Sequence, residues 1–155
     1  MISHLNKNNK PHIVDITKKN ISVRIAKAEG IVAFDKLTYK KIEDLNTKKG
    51  SIDNIAIIAG IIGSKETSRI IPLCHNIPLD YVNIEIKKLP KLHSLKVISE
   101  VRTNSKTGVE IEALVAVSIS CLTIYDMCKF YNKSIIIKDI RLISKTGGKS
   151  DYINK

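Results

Sequence analysis

The sequence predicts an α+β fold of the ferredoxin-like, split βαβ kind: an antiparallel sheet with helices packed on one face. Three observations lead there. Segments of period-two apolar alternation and segments of helical periodicity follow one another as β-α-β-β-α-β. One helical segment, 109–131, is apolar on nearly every side, which reads as a buried helix covered by something beyond its own sheet. The chain's 155 residues suit one domain with a single core, spanning 12–155 and preceded by a flexible polar arm over 1–11.

The elements follow in order. "ISVRIAKA" (21–28) alternates Ile21, Val23 and Ile25 inward against Ser22 and Arg24 outward, and the strand can continue past Gly30 into "IVAF". "LTYKKIEDL" (37–45) suits a short helix and "TKKG" (47–50) a loop. Ser51 is placed to N-cap "IDNIAIIAGIIGSKETSRI", in which Ile55, Ile58, Ala59 and Ile62 fall on one face, and Pro72 ends that element. "YVNIEI" (81–86) and "LKVISEV" (95–101) alternate as an antiparallel pair joined through Pro90. "NSKTG" (104–108) is a turn, 109–131 the buried helix and "SIIIKDIRLIS" (134–144) the closing strand.

The closing strand feeds Gly147-Gly148-Lys149-Ser150, which invites a P-loop reading that fails. The motif needs a glycine five positions before Gly148, where Ile143 stands, and a helix behind it, for which five residues are too few. What remains is a flexible basic loop whose glycines let the backbone approach something closely.

Composition narrows the function classes. The start of the chain lacks the apolar stretch of a signal peptide, and no uninterrupted apolar run approaches membrane-spanning length. Cys74, Cys121 and Cys128 are an odd count, so free thiols and a cytoplasmic location are expected. The net charge of +11 and pI near 9.6 come from 22 lysines and four arginines spread over the whole chain. Base reading favours Arg and single-strand binding favours aromatics, which make up 5% here. The field suits a small polyanion better than a nucleic acid.

Three groups of polar residues stand out. On the long helix, Asp126 and Lys129 share a face three residues apart, where the bland alternative is a solvated ion pair at a helix end. Glu110 and Glu112 lie near its start, and fourteen residues from Glu112 to Asp126 make about 21 Å of helix. Either the glutamates fold back on the preceding turn or a site using both lies between subunits. In "IPLCHNIPL" (71–79) two prolines bracket Cys74-His75. His75 suits acid/base work, although a loop histidine is more often a hydrogen-bonded surface group, and the cysteines match no zinc spacing. Lysines on three glycine loops, Lys48-Lys49, Lys106 and Lys145/Lys149, suit a phosphorylated small molecule.

"IPLCH" (71–75), "KTGVEIEAL" (106–114), "LTIYDMCK" (122–129) and "RLISKTGGKS" (141–150) resemble the cyclic pyranopterin monophosphate synthase family, the accessory protein C family of molybdenum cofactor biosynthesis. "HIVDITKK" (12–19) and "KGSIDNIAIIAGI" (49–61) resemble its N-terminal half. The resemblance implies a cytoplasmic lyase of ferredoxin-like fold, assembled as a homohexameric trimer of dimers with pockets at subunit interfaces. Its reaction converts 3′,8-cyclo-7,8-dihydroguanosine 5′-triphosphate into cyclic pyranopterin monophosphate and diphosphate.

Carried over by position, Asp126 and Lys129 are the central acid/base pair, and Leu73, Cys74, His75, Ile111 and Glu112 contact substrate. Lys49, Glu110 and Lys145 match charged pocket positions, and Lys149 extends the basic loop. With Lys129 near Asp126 in a partly buried site, the amine is expected to be poised as an acid. The sequence shows no required cofactor and no protein metal site; Mg²⁺ can accompany the triphosphate. Ser51, Ile57 and Glu66 depart from the family's acidic or basic residues at those positions. The competing class, an RNA-binding ferredoxin-like module, needs aromatics on its central strands, where this chain carries Ile and Val.

Overall fold

The computed structural model describes residues 8–154, so most of the expected N-terminal arm lies outside it. The elements are β1 (Ser22–Ala33), α1 (Lys36–Lys41), a minimal hairpin of β2 (Asn46–Thr47) and β3 (Gly50–Ser51), α2 (Ile52–Lys65), α3 (Thr67–Ile70), β4 (Tyr81–Leu89), β5 (Ser94–Ser105), α4 (Glu110–Cys128), β6 (Ile136–Thr146) and β7 (Tyr152–Ile153). The main sheet runs β4-β5-β1-β6-β7 with every neighbour antiparallel. The expected α+β architecture is present: α4 lies across β1, β5 and β6, and α2 packs beside it over β4.

Several local expectations change. The inward face of β1 is Ala26, Ala28, Gly30 and Val32, so the expected phase is inverted, with Ile21 and Val23 about 60% exposed. Small residues win the inner face because α4 lies close against the central strand. The same happens on α2, where Ile52, Ala56, Gly60 and Gly63 face inward while Ile55, Ile58 and Ile62 face out. Ser51 does cap α2, its Oγ accepting from the Asn54 N–H at 3.4 Å. That helix stops at Lys65, and a separate short α3 precedes Pro72. "TKKG" forms the β2–β3 hairpin instead of a plain loop, the closing strand runs to Thr146, and β7 adds an edge strand the sequence did not announce.

Gly60 sets the distance between the two long helices. A Cβ there would overlap Ser120 Oγ and Ile84 Cδ1 and sit 2.8 Å from the Ala116 carbonyl oxygen. Backbone cannot step aside as a rotamer can. Ser120 completes the contact, its hydroxyl donating to the Ala56 carbonyl at 2.9 Å with both residues buried. Among the described residues α4 alone has the length and apolarity of a membrane span, and half of it is buried in this packing, as befits a core helix.

Gly60→Val should therefore destabilise the protein by about 1–3 kcal/mol through overpacking, read as a lower denaturant midpoint with an unchanged slope. A midpoint equal to wild type would mean that the helices do not meet at Gly60.

Candidate active site

Seven of the expected site residues line one cleft of about 510 Å³: Leu73, Cys74, His75, Glu110, Ile111, Glu112 and Lys145. Three elements bring them together. The segment after α3 supplies Leu73 to His75, the first turn of α4 supplies Glu110 to Glu112, and β6 supplies Lys145 from its helix-side face, opposite Ala26. Glu110 Oε1 accepts from Lys145 Nζ at 2.8 Å, tying the helix start to the strand. Both glutamates sit at the positive end of the helix, where negative charge is favoured.

Glu112 is only 5% exposed. Burial pushes its carboxyl up to about 6, and the Glu110 carboxylate adds to the rise, outweighing a backbone N–H that favours the ionised form. The Cys74 thiol is also raised, first by burial and then by Glu112, so it is a protonated neighbour and no ready nucleophile. His75 Nε2 lies 2.7 Å from the Val14 carbonyl oxygen.

A second cavity of about 590 Å³ adjoins the first, sharing Lys19, Thr107, Gly108, Glu110 and Lys145. Its walls add Arg24, Lys106 and Lys149, so five cations face a single carboxylate. Gly147 holds the left-handed region at φ 83°, and a Cβ there would strike the Val23 carbonyl oxygen. The loop is pinned besides: Ser22 Oγ donates to the Gly147 carbonyl at 2.8 Å, and the Gly147 N–H donates to Asp151 Oδ1 at 3.1 Å. Arg24 and Lys19 escaped sequence reasoning. Arg24 alternates like any outward strand residue, and only the fold turns it toward the Gly148 loop. Ser51, Ile57 and Glu66, where the chain departs from the family pattern, line neither cavity.

Asp126, Lys129 and Lys49 form a separate cluster at the far end of α4. Lys129 Nζ lies 2.7 Å from Asp126 Oδ1, and Lys49 Nζ lies 3.3 Å from Oδ2 and 3.1 Å from the Asp126 carbonyl oxygen. The two amines hold the Asp126 carboxyl below its usual range, chiefly by hydrogen bonding from Lys129. Hydrogen bonding to Asp126 in turn raises the Lys129 amine. The expected partly buried, acid-poised lysine is thus not found in the single chain: both side chains are about half exposed, and what burial there is does not offset the pull of Asp126 on the amine. Glu112 belongs to α4 itself, which excludes the fold-back alternative. The two clusters stand about 21 Å apart along one helix.

Glu112 makes a pH-dependent prediction. A carboxyl moved from its ordinary 4.5 to about 6 carries a penalty of about 2 kcal/mol once ionised. The native state binds the proton more tightly than the unfolded chain, so the penalty is absent below pH 4.5, builds through 4.5–6 and is complete above. Glu112→Gln should raise the melting temperature at pH 8, and the difference should vanish by pH 4. An equal shift at both values would remove the desolvation argument.

Comparison with known proteins assigns this arrangement a family. The model of the MoaC family matches residues 13–148. A cyclic pyranopterin monophosphate synthase of Helicobacter pylori (strain Shi470) is 48% identical over 152 residues, covering 97% of this chain and 96% of that protein. The Helicobacter hepaticus protein of that name is 45% identical over 155 residues, covering 99% and 98%. One from Campylobacter jejuni subsp. jejuni serotype O:6 is 47% identical over 149 residues, covering 96% and 95%. With a family match that takes in the smaller cavity, all of the larger one but Lys149 and Ser150, and the far end of α4, the chain belongs to the MoaC family.

Proposed function

We propose that the chain converts 3′,8-cyclo-7,8-dihydroguanosine 5′-triphosphate into cyclic pyranopterin monophosphate and diphosphate, in molybdenum cofactor biosynthesis in the cytoplasm. The observation that carries this reading, beside the family, is a five-cation cavity opening directly onto a buried carboxyl. Arg24, Lys106, Lys145 and Lys149 suit a triphosphate, and the apolar and polar walls at Leu73, Ile111, His75 and Glu112 suit the ring. A ribose oxygen attacks the α-phosphorus, its bond to the β-phosphate oxygen breaks, and diphosphate leaves. Fixed cations stabilise the charge as it moves, and any Mg²⁺ arrives on the triphosphate. Glu112, titrating near 6, is matched to donate and accept protons near neutrality during ring opening and closure. A nucleic-acid role is disfavoured because β1 and β5, the central strands, carry no aromatic residue.

The Asp126–Lys129 pair enters the reaction from a second copy, within a homohexamer built as a trimer of dimers. Support comes from the span of α4 and from its surroundings. Ile58, Ile62 and Leu122 are each more than half exposed on the outer side of the helix layer, an apolar face of the kind that marks an interface. Two copies related by a twofold axis there set one helix start beside the other's end, and covering the pair would desolvate Lys129.

The direct assay is incubation with the cyclic triphosphate and chromatography for pterin and diphosphate. Asp126→Ala or Lys129→Ala should lower turnover by about 10²-fold or more with the fold intact. Lys145→Ala and Lys149→Ala should weaken triphosphate binding more than binding of a dephosphorylated analogue. Co-assembled Glu112→Ala and Asp126→Ala subunits, each inactive alone, should recover part of the activity. Verified hybrids that stay inactive would place both residues in one chain's half-site.

A further inference from the structure

The segment leading into β1 carries a role that neither the motifs nor the charge pattern assign. Residues 12–20 form no helix and no strand, yet Val14, Ile16 and Lys19 form one wall of the smaller cleft. Two side chains, one from each cavity, reach across to its backbone. His75 Nε2 meets the Val14 carbonyl oxygen at 2.7 Å across 61 residues of sequence, and Lys106 Nζ donates to the Thr17 carbonyl at 2.8 Å across 89. Between these anchors Asp15 closes a local turn, its Oδ1 accepting from the Thr17 N–H at 2.8 Å and the Thr17 hydroxyl at 2.6 Å. The segment is a strap whose shape is fixed from within and whose backbone is held at Val14 and Thr17 by side chains of the two cavities.

A carbonyl oxygen can only accept, so the contact at Val14 requires the proton to reside on His75 Nε2. In the neutral ring Nδ1 is then left with a free lone pair. Among the described residues the ring makes no other hydrogen bond. We propose that the strap is a positioning element of the active site: the Val14 carbonyl holds His75 as the Nε2–H tautomer, so that Nδ1 is the acceptor offered to the substrate's ring. Without the strap the two neutral tautomers compete, and the ring is free to turn about its side-chain bonds. The tautomer follows from geometry alone; its use on a purine-derived ring rests on the function proposed above.

The test separates the two. Full-length protein labelled with ¹⁵N-histidine, with His75 assigned by comparison with His75→Ala, reports the tautomer directly in long-range ¹H–¹⁵N spectra at pH 8. The expected result is a protonated Nε2 and an unprotonated Nδ1 for His75 in the substrate-free protein. The reverse pattern, or an even mixture, overturns the proposal and leaves the assigned reaction untouched. Asp15→Ala, which opens an exposed turn and removes no core contact, should then broaden or shift the His75 nitrogens toward the mixed pattern. Its turnover should fall several-fold in the wild-type background and less than twofold in His75→Ala. An equal fractional loss in both backgrounds means that the strap acts without His75, and the positioning role is wrong.

Discussion

The contact between α2 and α4 is the constraint on which the rest of the molecule depends. Gly60 lets the Ala116 carbonyl and Ser120 come to backbone distance, and the Ser120 hydroxyl locks that approach onto the Ala56 carbonyl. Held on one side by α2 and beneath by three strands, α4 has no freedom to bend, and no proline interrupts it. A straight helix of this length has two ends with opposite partial charge. Glu110 and Glu112 occupy the positive end, and Lys129 stands at the cap of the negative end. The same placement that suits the helix keeps the two clusters of charged side chains at opposite ends of α4, where one chain cannot bring them together.

From the helix start the order passes outward through a single ion pair. Lys145 on β6 meets Glu110, and two residues later the chain turns through Gly147 against β1. The basic loop is therefore hung on the central strand at one side and on the helix at the other. Its glycines answer to sterics more than to flexibility, since the left-handed backbone at Gly147 and the carbonyl of Val23 leave no room for a side chain. Arg24 sits beside this turn because it follows Val23 on the same strand, its Nε donating to the Ser105 carbonyl at 3.4 Å.

The order of elements was legible because it depends on period and punctuation, which are local. So were Ser51 as a cap and the seven residues that share the first cleft, because long motifs carry them. Which face of an element turns inward was not legible. Val32 and Ile52 apart, the inward positions of β1 and α2 hold Ala or Gly while Val23, Ile58 and Ile62 point outward, since the neighbouring helix leaves little room. Hydrophobicity alone ranks Ile58 above Gly60 for the core; only the Ala116 backbone across the interface reverses that order. Arg24 and Lys19 were hidden for a related reason, being residues whose role appears only when β6 returns beside β1. The exposure of Lys129 was likewise unreadable, as no pattern in one chain reports what covers a helix end.

The distribution of charge sets the cleft apart from the rest of the surface. On the face of the sheet away from the helices, Glu29 meets Lys96 and Arg141, and Glu100 meets Lys27 and Arg102. Each of those four cations has a carboxylate within ion-pair distance, two cations to each glutamate. In the cleft the balance fails: Arg24, Lys19 and Lys149 form no ion pair with any described carboxylate, and Lys145 has Glu110 alone. Glu112 adds a carboxyl that its surroundings would rather keep neutral. Neither feature adds to the stability of the fold: like charges repel, and a buried acid resists ionising. Negative charge beside the lysines would offset the first, and a hydrogen-bonding group beside Glu112 the second, which is what the proposed function asks of its substrate. The rest of the core, apolar and closely packed, is what lets the chain carry an unbalanced site and remain folded.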